Sequence, residues 1–122
     1  MSIPEDLRRF ILTSVPSVPF VEAFILFREM AGSSLPVDQV ASRLYIGMTQ
    51  AAEIVGELRA AQVIEAAGES GHRYAPSPEL APMLDLLAEH YRGNLVGVSA
   101  LIHSRASRAA HQFANAFRIR KE

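Results

Sequence analysis

The sequence predicts a mostly α-helical chain that carries one small β-hairpin. Three observations predict it. Apolar residues recur at i, i+3 and i+4 spacing through most of the 122 residues. Two of these helical stretches are separated only by Tyr45-Ile46-Gly47-Met48, so they must cross over a shared apolar corner, which is a helix-turn-helix geometry. The runs Val63-Ile64-Glu65-Ala66 and His72-Arg73-Tyr74-Ala75 have strand-like composition, and Gly68-Glu69-Ser70-Gly71 between them tolerates positive φ.

Taken in order, Ser2-Ile3-Pro4-Glu5 has the form of a capping box and starts a helix near 3–14, with Leu7, Phe10 and Ile11 as its apolar stripe. Pro16 and Pro19 end it and make an elbow. A second helix, near 18–31 and closed by Gly32, is apolar nearly all round: only Glu22, Arg28 and Glu29 ask for water. Helices near 36–45 and 48–62 follow. Pro36 opens the first, with Val37, Val40, Ala41 and Leu44 on one face, and Ala51, Ile54, Val55 and Leu58 line the second. Strands are expected near 63–67 and 72–76. Beyond them Ser77-Pro78-Glu79 starts a helix near 79–92, with Pro82 delaying or bending it, and further helices are expected near 95–103 and 105–118.

The chain is expected to be one domain, residues 1–122, with the helix-turn-helix at 35–62, the hairpin at 63–76 and the C-terminal helices at 78–118. Its apolar content exceeds what one such core needs. Phe10, Phe20, Phe24, Phe27, Leu87, Leu101, Ile102, Phe113 and Phe117 together call for a second subunit, so a homodimer built by the 18–31 helix or those after Ser77 is expected.

The stretch from Leu35 to Tyr74 resembles the winged helix-turn-helix domains of bacterial transcription regulators, of the sort found in the MarR family. The residues that carry the resemblance are Val40, Ala41 and Leu44, Ile46 in the turn, Ala51, Ile54, Val55 and Leu58, then Val63-Ile64 and Gly71 with Tyr74 in the wing. By motif it covers about a third of the chain. It implies a fold of winged helix-turn-helix type with flanking N- and C-terminal helices, and a regulator that meets double-stranded DNA through recognition helix 48–62 and wing 68–73. On that pattern Thr49 and Gln50 would meet base edges, Arg43 a phosphate, and His72 with Arg73 the minor groove or a phosphate. The N-terminal and outward positions of the recognition helix, Gly47, Met48, Thr49, Gln50, Ala52, Glu53 and Gly56, include no Lys or Arg, and Glu53 and Glu57 repel phosphate. The alternative is therefore a winged helix that binds a protein partner, or senses a ligand, without holding DNA directly, with Met48 the apolar residue expected to be exposed on that face.

No chemistry of an enzyme is visible. His72, His90, His103 and His111 have no metal-ligand spacing, Ser99 with His103 and Ser107 with His111 lack an orienting acid, and the glycines at 68 and 71 lead into a strand rather than a helix, which does not cradle phosphate. No cofactor is expected. The absence of cysteine excludes disulfides and thiolate chemistry, and an acidic start without a long apolar run suggests a cytoplasmic chain with no membrane segment. Net charge is −1 but unevenly placed: residues 1–89 hold six Arg against twelve acids, whereas residues 90–121 hold six cations and no acid. Such separation marks either a surface for a polyanion or subunits that pair acidic face to basic face.

Overall fold

The computed structural model describes residues 2–104. Its elements are α1 (Glu5–Ser14), α2 (Val18–Glu29), β1 (Leu35–Pro36), α3 (Val37–Leu44), α4 (Met48–Ala60), β2 (Ile64–Ala67), β3 (Gly71–Tyr74), α5 (Ala81–Gly93) and α6 (Leu95–Ser104). The chain is mostly helical with a small three-stranded antiparallel sheet, in the order β1-β3-β2. The helix expected at 105–118 lies outside the described residues, and so do Phe113 and Phe117. The described residues gather into two compact units, one of Pro19–Asp85 and one of the residues up to Val18 with those from Leu86 on.

In the Pro19–Asp85 unit, the apolar run of α2 buries Phe20, Val21, Ala23, Phe24 and Phe27. Phe24 is wholly buried, and Phe20 and Phe27 nearly so. Leu87 and Ile102 are likewise buried in the other unit. α2 ends at Glu29 rather than Ala31, and the backbone turns through Gly32 (φ +93°). α3 buries Val40 and Ala41, and α4 buries Ala51, Ile54, Val55 and Leu58, the stripe that the 3.6-residue period requires.

Both helices of this pair stop on a left-handed residue that is not glycine. Tyr45 (φ 57°) closes α3 while the Ile46 amide donates to the Ala41 carbonyl at 3.1 Å. Gln62 (φ 64°) follows α4, with the Val63 amide donating to Leu58 O at 3.0 Å and the Gln62 amide to Arg59 O at 3.1 Å. This is the Schellman arrangement, with buried Val63 and Leu58 as its apolar contact. It ends α4 at Ala60, two residues before the expected boundary, and sets the direction in which β2 leaves.

The hairpin pairs Ile64 with Tyr74, Glu65 with Arg73, Ala66 with His72 and Ala67 with Gly71. Gly71 thus belongs to the strand, not to the turn. A Cβ there would run into the Ser34 hydroxyl and sit 3.0 Å from Ala67 O, and the hydroxyl in turn donates to that same carbonyl at 3.0 Å. β1 is an addition that the sequence reading did not contain. Leu35 pairs with His72 and Pro36 with Gly71, so Pro36 is an edge-strand residue and N-cap of α3 rather than its first helical residue.

In the other unit, α1 begins at Glu5 after Pro4, and the expected capping box does not form: the N-cap is Pro4, without a side-chain cap. The Pro4 carbonyl already accepts from Arg8 N at 2.9 Å, which places Ser2 outside the first turn, too early to cap it. α1 buries Leu7 and Ile11, and Leu87, Ala88, His90, Val98 and Ile102 are the buried residues from α5 and α6. The start of α5 falls at Ala81 because Ser77 O accepts from Leu80 N and Ala81 N, forming a turn ahead of Pro82, which then occupies the first turn of the helix. No single helix among the described residues is long and apolar enough to cross a membrane.

Candidate functional site

The candidate site is the turn Tyr45-Ile46-Gly47 with the outward face of α4. Gly47 is the N-cap of α4 (φ −70°, ψ 159°) and gives no side-chain cap, so the first amides of the helix are left to outside partners apart from Ala51 N, which donates to Gly47 O at 3.0 Å. At 100° per residue, the buried stripe of α4 leaves Thr49, Glu53, Gly56 and Ala60 along the outer crest. Met48, Ala52 and Arg59 lie on one flank, with Gln50 and Glu57 on the other. All nine are exposed. Tyr45 stands 94% exposed and Met48 55% exposed, the two largest apolar side chains bare in the Pro19–Asp85 unit. Met48 was legible as an exposed residue; Tyr45 was not, because in the sequence it reads only as part of a helix break.

Of the residues that the sequence singles out, Arg43, Thr49 and Gln50 are all exposed, at the end of α3 and the start of α4. Arg43 has no ion pair among the described residues, nor have Arg59, Glu53 and Glu57. Arg73 is different. It is exposed on β3 but donates from Nε to Glu65 Oε1 at 2.8 Å, with its second guanidinium contact to the same oxygen also 2.8 Å, because the sheet register puts the two residues opposite each other.

His72 does not share that surface. Successive residues of a strand point to opposite faces, so His72 and Tyr74 lie on the face of Leu35 and Ile64 and away from Arg73. His72 is half-buried, and its Nδ1 has no hydrogen-bond partner among the described residues. Burial, and secondarily the Arg59 charge, holds its pKa below 6.5, so it is neutral at neutral pH and carries no charge for phosphate. Tyr74 packs against Phe24 with ring centroids 6.1 Å apart, and its hydroxyl is buried. Burial first, then the Asp85 carboxylate, raises its pKa, and the Arg28 guanidinium opposes them. Arg28 itself is paired with Asp85 at 3.2 Å.

An open cleft of about 430 Å³ runs beside the end of α4 and along β2, lined by Arg59, Gln62, Ile64, Glu65, Ala66, Ala75 and Ser77. No group of three or more His, Asp or Glu side chains is placed to hold a metal ion among the described residues. The chain matches no family model, no curated protein and no solved structure.

Proposed function

We propose that residues 35–76 form a winged helix-turn-helix and that the chain is a DNA-associated transcription regulator, working as a homodimer, whose contact with the duplex is weak and mainly electrostatic. The observation that carries this is the bare N-terminal end of α4: a three-residue turn from α3, a helix start without a side-chain cap, Thr49 and Gln50 directed outward, and alongside them Arg43, which has no ion pair among the described residues. Thr49 and Gln50 supply the donors and acceptors for base edges, and Arg43 the phosphate contact. The hairpin β2–β3 is the wing, with Arg73 available to phosphate only by leaving Glu65.

The test is binding of random and fixed-sequence duplexes by fluorescence anisotropy at two salt concentrations. Arg43→Ala should weaken binding to all sequences alike and reduce the salt slope by about 0.9. Gln50→Ala should change sequence preference with the slope intact. Arg73→Ala should also weaken binding to all sequences and flatten the slope, but by less than Arg43→Ala, since Glu65 already holds the side chain. A specific observation favours the protein-binding alternative: Tyr45 and Met48 are bare at the N-terminal end of the helix that carries Glu53 and Glu57, which have no ion pair among the described residues. Loss of a protein partner on Met48→Ala, with no duplex bound at low salt, is the result that would install it.

A further inference from the structure

We infer that the outer face of α4, anchored by Tyr45 and Met48, docks the basic C-terminal segment of a second copy of this chain, residues 105–121. The face has what a protein contact needs. An exposed Tyr and an exposed Met stand one short turn apart, and aromatic residues and Met are enriched where partners are held. The crest is small at Gly56 and Ala60, with Ala52 on the flank beside it, so another chain can approach closely, and among the described residues nothing lies within 4 Å of where a Cβ on Gly56 would stand. Glu53 and Glu57 project from it with no ion pair among the described residues, whereas Glu5, Glu65 and Asp85 each already have an arginine.

The occupant follows from charge. Residues 105–121 carry Arg105, Arg108, Arg118, Arg120 and Lys121 without one acid, and Phe113, Phe117 and Ile119 among them. This is the complement of α4, whose only cation is Arg59 against two glutamates. Aromatic residues meet Tyr45 and Met48, and arginines meet Glu53 and Glu57. Long, flexible side chains at exposed sites give modest energy per pair, so the apolar anchors supply the hold and the charges supply the choice of partner. On the DNA-binding reading, the segment and the duplex compete for one surface, but the docking does not depend on that reading, and its test contains no DNA.

The experiment is sedimentation equilibrium of the full chain at low and high salt. The wild type is expected to self-associate in the micromolar range and more weakly at high salt. Glu53→Lys with Glu57→Lys should weaken association about tenfold or more, Tyr45→Ala should weaken it at both salt concentrations, and Arg118→Glu with Arg120→Glu and Lys121→Glu should weaken it like the first pair. A chain carrying both charge reversals should associate again. All α4 positions named are exposed, and circular dichroism checks that each variant folds. As a second reading, a synthetic peptide of residues 105–122 added to the full chain should shift the amide resonances of Tyr45, Met48 and Glu53. A wild type that is monomeric throughout, association indifferent to these substitutions, or a doubly reversed chain that stays apart would overturn the inference. So would resonances on α4 that move only with another protein or with duplex DNA.

Discussion

Helices α2 and α4 have nearly the same length, twelve and thirteen residues, and opposite design. α2 is apolar on almost every side and is closed off: Phe20, Phe24 and Phe27 vanish into the core. α4 buries one stripe of four residues and leaves every other side chain in water. A helix held by a single stripe needs little from its outer face, so residues there are free to be chosen for something other than stability. Tyr45, Met48, Thr49 and Gln50 are the ones so freed, and they stand together at one end.

The comparison breaks if the core helix proves tolerant. Phe24→Ala should cost about 3–5 kcal/mol in urea unfolding, because it removes a wholly buried ring that also packs on Tyr74. Glu53→Ala should stay within about 0.5 kcal/mol of the wild type. Next in size is Gly71→Ala, which should cost about 1–3 kcal/mol by forcing Ser34 off the Ala67 carbonyl and crowding the sheet. The ends of α3 and α4 should move the other way. Gln62→Gly should stabilise by about 0.5–1 kcal/mol, since glycine relieves the left-handed strain at φ 64° and no buried side chain is lost. Smaller again is the exposed Glu65–Arg73 pair: Glu65→Ala should cost less than about 1 kcal/mol.

A pH effect sharpens the same contrast between the covered and bare faces of the sheet. The folded pKa of His72 lies below its unfolded value of 6.5, so the unfolded chain binds the proton first. The stability from neutral His72 is therefore full above pH 6.5 and declines as pH falls from there towards the folded pKa. His72→Gln should reduce the fall in melting temperature across that acidic interval, and an unchanged profile would show that the ring is not held neutral by burial.

How much of this was legible in the sequence differs from element to element. The stripes Val40-Ala41 and Ala51-Ile54-Val55-Leu58 were readable because burial in a helix repeats with its turn, and the hairpin was readable because Gly68 and Gly71 flank its tip. The caps were not. Ser2-x-x-Glu5 has the right spacing, yet Pro4 starts the helix instead. Tyr45 and Gln62 adopt a left-handed conformation that glycine favours, and each is followed by an amide, of Ile46 and Val63, that donates back to a helix carbonyl. β1 is two residues long and pairs across more than thirty residues of chain, so no local pattern announces it. At the site, the exposed Arg43, Thr49 and Gln50 could be read from helical phase. That Arg73 would be tied to Glu65, and His72 turned to the opposite face, depended on the register of the hairpin.

The central claim is that the end of α4 meets DNA, and one measurement tests it most directly: anisotropy of a fluorescent random duplex titrated with the wild-type chain at about 50 mM salt and again at about 200 mM. The account predicts saturable binding at the lower salt that largely disappears at the higher, with a slope that reports only a few phosphate contacts. A chain that leaves the duplex unbound at the lower salt contradicts it.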